Sequence, residues 1–297
     1  MARLQRLPGA AFAAHSSMAV VAGVAQALSL AGPWNGAPQW WLQIVSLAVL
    51  AWLVRAPTPW RRAVWLGWAF ATAWLAATFW WLFISMHTYG GLAAPLASAA
   101  VLGLAAFLGT YYAVALGLFA RLAPTHRALA AIVFAALWLL AELARGTLWT
   151  GFPWGAGGYA HVQGPLSALA RTVGVYGVGF VAAVLAMLLA QARTRDLHSL
   201  RAWALVAGGA LVLVCAGLQR QCAIESCHTP ARQPSAPISL ALLQGNIPQN
   251  EKFEAGSGVP MALQWYADVL VTAKASLVVA PETAIPLLPQ QLMPGYL

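Results

Sequence analysis

Few of the 297 residues can do acid–base or nucleophilic chemistry: seven are acids, six are histidines and three are cysteines. Glu282 is the most informative of them. It follows the apolar run Leu277-Val278-Val279-Ala280-Pro281, and a carboxylate at the C-terminal end of a strand lies where open α/β sheets build their sites. Beside Val278, Val279 and Ile285 it is expected to be half-buried, which suits a general base working near neutral pH. The alternative is an ordinary strand-end acid capping the next turn. A base needs a nucleophile, and the cysteines do not supply one convincingly. Cys215 lies within an apolar run and reads as an inert small residue. Cys222 and Cys227 read as a local disulfide sooner than as catalytic thiols. Together with His228 they make only a weak metal-ligand pattern, so no metal and no cofactor is expected.

A second group lies near the middle of the chain. Glu142 and Arg145 are three apart, hence on one face of a helix, inside an apolar run where charges are costly and usually paired. They read equally as a structural ion pair or as the lining of a polar headgroup cavity. After them comes Gly151-Phe152-Pro153-Trp154-Gly155-Ala156-Gly157-Gly158-Tyr159. Its aromatics suit a membrane interface, while its glycines suggest irregular backbone lining a cavity. His87-Thr88-Tyr89-Gly90-Gly91 has the same character, and His87 reads as an interfacial hydrogen-bonding histidine.

The elements that must position these residues are mostly membrane helices. Hydrophobic residues make up 61% of the chain and charged residues 8%, with a mean hydropathy of +0.71. About seven apolar runs approach the roughly 20 residues a span requires: 10–31, 38–54, 63–87, 92–120, 128–150, 174–192 and 202–218. The net charge of +9 does not point to nucleic acid, because the arginines are scattered between apolar runs. Arg3, Arg6, Arg55, Arg61, Arg62, Arg121, Arg127, Arg193, Arg195 and Arg201 all fall on one side of the resulting topology. By the positive-inside rule that side, with the N-terminus, is cytoplasmic, and the segment after Leu218 is outside. The first run is read as an uncleaved anchor rather than a signal peptide ending near Ala25-Gln26-Ala27.

Composition changes after residue 218. Residues 219–236 read as a linker containing Pro, Ser and Cys, and residues 237–297 carry both lysines, Lys252 and Lys274, with four of the seven acids. Residues 238–244 and 277–280 read as strands. Residues 259–273 have a helical apolar rhythm through Met261, Leu263, Trp265, Tyr266, Val269 and Leu270. Strand–helix–strand order implies an α/β layer with neighbouring strands, the opening of a larger domain.

Taken in order, Glu142-Leu143-Ala144-Arg145-Gly146, the 151–154 turn, Gly158-Tyr159, Gly164-Pro165-Leu166, Leu243-Gln244-Gly245-Asn246-Ile247-Pro248-Gln249 and Pro281-Glu282-Thr283-Ala284-Ile285-Pro286 resemble the apolipoprotein N-acyltransferases. The resemblance implies a polytopic membrane domain (1–218) in the bacterial inner membrane, followed by the N-terminal part of a periplasmic nitrilase-like αββα sandwich. It also implies a Glu–Lys–Cys catalytic set with Glu282 as general base, and places Trp154, Phe253, Glu142 and Arg145 near substrate. The implied partners are a phospholipid acyl donor, a diacylated apolipoprotein acceptor and the bilayer. The family's lysine and cysteine follow the glutamate, and neither Lys252 nor Lys274 does. A fragment is therefore expected, inactive alone. The family often has tryptophan where this chain has Phe253, which keeps an aromatic ring. A transporter or channel, a membrane-tethered nitrilase-type amidase, and a non-catalytic lipid-binding remnant are the competing readings.

Overall fold

The computed structural model describes residues 9–55, 58–192 and 238–296. The chain divides into two compact units, meeting in sequence between Ser226 and Cys227. Seven helices make up the described part of the first: α1 (Gly9–Leu30), α2 (Trp40–Val54), α3 (Trp60–Thr78), α4 (Trp80–Ile84), α5 (Ala94–Leu122), α6 (Arg127–Thr147) and α7 (Ala170–Ala190). Four described segments, Ala10–Leu30, Ala94–Leu122, Arg127–Thr150 and Pro165–Ala190, are long and apolar enough to cross a membrane. A fifth is added if α3 and the following Trp80–Tyr89 are one span bent by 52°.

This is fewer than the seven spans expected from hydropathy, for two reasons. The 15 residues of α2 reach only about 22 Å at 1.5 Å per residue, short of a hydrocarbon core of about 30 Å. The seventh run, 202–218, lies outside the described residues, as do Cys215, Cys222, Cys227, His228 and the expected linker 219–236. The bend after α3 has no proline behind it. The α-helix is interrupted at Phe79, whose N–H bonds back to Leu75 O, and resumes before passing into a π-helical turn, Ser85–Tyr89.

Helix α3 packs against α1 on one side and α5 on the other, while α6 joins α5 to α7 and α2 closes onto α1 and α7. Close approach of α3 and α5 depends on Gly109, where an added Cβ would lie 2.8 Å from Thr72 Oγ1. Small residues at such crossings let backbones approach where apolar lipid gives helices no hydrophobic reason to associate. The core is aromatic. Trp74 of α3 stacks on Trp138 of α6 with ring centroids 5.8 Å apart, and Tyr112 of α5 packs edge-on against Trp74 at 5.3 Å. Large apolar side chains on the other faces, such as Val21, Leu102, Val114 and Leu140, are exposed, as a lipid-facing surface requires.

The second unit has a parallel pair, β1 (Leu240–Leu242) and β2 (Leu277–Val279), joined through α8 (Gly258–Thr272). Side chains alternate across the pair. The matched Ala241 and Val278 are half-buried, whereas Leu240, Leu242, Leu277 and Val279 are exposed. Val259, Ala262 and Tyr266 form the buried face of α8.

Candidate functional site

Glu142 and Arg145 stand near the end of α6, both fully buried. They do not make a contact ion pair; each reaches instead for the glycine-rich turn. Glu142 Oε1 accepts a hydrogen bond from Gly157 N at 2.9 Å. Arg145 Nη1 donates to Phe152 O at 2.6 Å and to Trp154 O at 2.8 Å, while Nε donates to Tyr112 Oη at 3.1 Å. The guanidinium also faces the Trp74 ring, 5.8 Å from its centroid. One arginine thus ties the turn to α3 and α5, a fork geometry that lysine cannot reproduce.

The turn itself is backbone-driven. Trp149, Thr150 and Gly151 have positive φ in succession (55°, 73° and 76°), which reverses the chain abruptly after α6. An added Cβ at Gly151 would collide with Gly146 O. We expect Gly151→Ala to cost about 1–3 kcal/mol, seen as a lowered Tm in detergent. Gly91→Ala, at a similar φ of +67° with open space around it, carries the φ penalty alone and should cost less. Equal losses in the two variants would show that the collision does not matter. The turn leaves Trp154 at 60% exposure, edge-on to Trp81 with ring centroids 5.9 Å apart.

Behind the turn lies a polar cluster that sequence reasoning missed. Gln26 of α1, Gln43 of α2 and His161 are buried alongside Glu142, and His161 Nε2 lies 3.1 Å from Gln43 Oε1. Gly157 marks their meeting point: a Cβ there would lie 3.1 Å from Gln43 Nε2, 3.3 Å from Gln26 Nε2 and 3.6 Å from Glu142 Oε1. Both amide atoms of Gln26, Gln43 Nε2, Glu142 Oε2 and His161 Nδ1 have no hydrogen-bond partner in the protein. Leaving such atoms unpaired is expensive, so the cluster has spare capacity for small polar guests such as water. The available signal was two lone glutamines inside otherwise apolar runs. His87 Nδ1 donates to Leu92 O at 2.7 Å, an exposed local contact.

In the second unit, the two motif segments meet beyond the C-terminal ends of β1 and β2. Gln244, Asn246, Lys252, Tyr266, Pro281 and Thr283 are among the residues lining a cavity of about 200 Å³ there. Tyr266 Oη accepts from Gly245 N at 3.2 Å, and Lys252 Nζ donates to the main-chain oxygen of Glu282 at 3.3 Å. Asn246 and Thr283 hold φ of +50° and +56°, unusual for a non-glycine residue and more so for a β-branched one. Strained backbone of this kind is retained where surrounding structure over-determines it, commonly at sites. Glu282 is exposed rather than half-buried. The reason is that two strands leave one face of the pair open, so Val279 beside it is itself 43% exposed. Phe253 is exposed as well. Among the described residues no group of three or more His, Cys, Asp or Glu is placed to hold a metal ion.

Residues 22–188 match the family model of the apolipoprotein N-acyltransferase N-terminal domain. That stretch contains Glu142, Arg145, the whole turn and Gly164-Pro165-Leu166. The chain is similar to the apolipoprotein N-acyltransferase of Verminephrobacter eiseniae, 65% identical over 286 residues that cover 94% of this chain and 53% of the relative. It is also similar to that of Ralstonia nicotianae, 46% identical over 258 residues (85% and 47%), and to that of Pseudomonas putida, 36% identical over 283 residues (94% and 54%). The chain therefore spans about half the length of these relatives.

Proposed function

The chain belongs to the apolipoprotein N-acyltransferase family, and from that premise we propose that it forms the membrane domain and the first part of the catalytic domain of an acyltransferase. The proposed reaction moves a fatty acyl chain from a membrane phospholipid to the N-terminal α-amine of a diacylglyceryl-cysteine apolipoprotein. The observation that carries this reading is the meeting of Gln244-Gly245-Asn246-Ile247 with Pro281, Thr283 and Ala284, the residues flanking Glu282, around one polar cavity at the strand ends, where parallel sheets usually present chemistry.

In the proposed mechanism Glu282 accepts the proton of a cysteine thiol. The resulting thiolate attacks the acyl ester carbonyl of the phospholipid. A lysine stabilises the oxyanion, the lysophospholipid leaves as an alcohol with the proton returned by Glu282, and a thioester remains. The acceptor amine then attacks the thioester, loses a proton to Glu282, and the thiolate re-forms. Covalent catalysis of this kind replaces one difficult transfer by two easier ones. The family resemblance places that lysine and cysteine after Glu282 in sequence. Trp154 and Phe253, both exposed aromatics, are proposed to contact the lipid substrates, and Glu142 and Arg145 to hold the turn that carries Trp154.

The test is a chimaera in which residues 1–297 are followed by the remaining C-terminal portion of the Verminephrobacter relative. Supplied with phospholipid and a diacylated lipopeptide, it should N-acylate the lipopeptide. Stable expression without transfer, or hydrolysis of small amides in preference to lipopeptide acylation, would overturn the reading.

The proposed location is the bacterial inner membrane, with the N-terminus in the cytoplasm and the second unit in the periplasm. Supporting this, Arg55, Arg62 and Arg127 all line one cavity at one end of the helix bundle. Alkaline phosphatase fused after Gln221 should be active, and fusion near Arg195 silent; the opposite pattern would reverse the orientation.

A further inference from the structure

The proposed reaction makes no use of the buried polar cluster behind the glycine-rich turn. Gln26 of α1, Gln43 of α2, Glu142 of α6 and His161 are each at most 1% exposed. His161 Nε2 lies 3.1 Å from Gln43 Oε1. An amide oxygen can only accept, so Nε2 carries the hydrogen. Burial pushes the imidazole pKa down to about 4, and the Nδ1 of a neutral ring is then an acceptor.

The atoms of the cluster that have no hydrogen-bond partner are of both kinds. Gln26 Oε1, Glu142 Oε2 and His161 Nδ1 are acceptors, whereas Gln26 Nε2 and Gln43 Nε2 are donors. Water serves such a mixture, because each molecule donates twice and accepts twice. A cation would meet two amide N–H groups, and an anion would meet the carboxylate. One water has only two hydrogens to give, so these three acceptors require at least two waters.

Glycine supplies the uncovered sides. A Cβ at Gly157 would lie 3.1 Å from Gln43 Nε2 and 3.3 Å from Gln26 Nε2. On the other side, a Cβ at Gly179 of α7 would lie 3.2 Å from Glu142 Oε2. His161 and Gly158 also line a cavity of about 390 Å³, together with Tyr159, Ser167 and Arg171. Tyr159 and Arg171 are exposed, so that cavity offers solvent a way to His161.

We infer that the cluster is a binding site for at least two resident waters, admitted past His161, which link α1 and α2 to the glycine-rich turn. One sits beside Gly157 and takes the amide donors of Gln26 and Gln43; the other gives a hydrogen to Glu142 Oε2 near Gly179. Buried waters of this kind make about three hydrogen bonds each and are costly to remove. Bridging water is nearly as favourable as a direct bond. The turn is then gripped directly by Arg145 at residues 152–154 and through water at residues 157–161.

The test needs no turnover, so its failure is distinguishable from failure of the proposed reaction. Gln26→Met, in the full chain in detergent, keeps the side-chain length and removes the amide. Deleting unpaired buried atoms from a dry cluster would raise stability, whereas deleting partners of bound water lowers it. Tm should therefore fall, by about 2–4 °C; an unchanged or raised Tm overturns the proposal. Radiolytic hydroxyl labelling, in which bound water oxidises the side chains beside it, reads the water itself. His161 should be labelled despite its burial, and labelling should drop by about threefold or more in Gly157→Ala, whose methyl group takes the place of a water. Exposed His87 should be labelled equally in both proteins. Gln26→Met serves for the same comparison if Gly157→Ala fails to fold. Absence of label at His161, or label unchanged in the variants, overturns the proposal. A Tm that rises when sodium replaces choline at equal ionic strength would reassign the cluster to a cation and overturn it equally.

Discussion

Glu282→Gln in the chimaera described above should reduce lipopeptide acylation by about 10²–10⁴-fold, the usual contribution of a positioned acid–base group, without changing thermal stability. The amide keeps the shape of the carboxylate and cannot take a proton from the thiol or the amine. Stability should be untouched because the side chain is exposed, and exposed substitutions away from special contacts generally stay within about 0.5 kcal/mol. Single-turnover measurement sharpens the test. Both thioester formation and amine transfer should slow, since in the proposed mechanism the same carboxylate serves both half-reactions. Full activity in the glutamine variant would remove Glu282 from the mechanism. Lys252→Met serves as a comparison: Lys252 Nζ donates to the main-chain oxygen of Glu282 and not to its carboxylate, so its loss should shift geometry and cost less than the acid itself.

Arg145→Met should cost the first unit about 3–5 kcal/mol, as expected when one member of a buried charged network is removed. Three acceptors lose their donor together: Tyr112 Oη, Phe152 O and Trp154 O. With about 2–4 °C per kcal/mol for a unit of this size, Tm should fall on the order of 10 °C. Arg145→Lys should recover part of the loss, keeping the charge and one donor direction but not the fork. A change of a degree or less in the methionine variant would mean that the turn is held by other contacts. Accessibility of Trp154 to a soluble quencher offers a second readout, because its main-chain oxygen is one of the released groups.

Much of the second unit was legible in sequence because period-two and helical rhythms are local properties. The strands appear at 240–242 and 277–279 within the expected 238–244 and 277–280, and the helix at 258–272 against an expected 259–273. The exposure of Glu282 was not legible, since burial depends on what covers the second face of the sheet. In the first unit, spacing placed Glu142 and Arg145 on one helix face and left a mutual ion pair and the lining of a headgroup cavity equally open. Apart from Tyr112 Oη, their actual partners are a main-chain N–H and two main-chain carbonyls in the turn, and backbone groups leave no mark on residue identity. The bend at Phe79 escaped for a related reason: no proline or glycine announces it. Gln26, Gln43 and His161 escaped because they converge across more than a hundred residues of chain, with no shared motif.

The way Arg145 grips the turn separates two kinds of information. A guanidinium that meets the turn only through its carbonyl oxygens fixes the course of residues 152–154 whatever their side chains are. The tryptophan ring at 154 is consequently free to be exchanged for a different surface chemistry without rewriting the path of the loop, whereas the arginine has no such freedom. The displayed ring can thus change while its mount stays untouched.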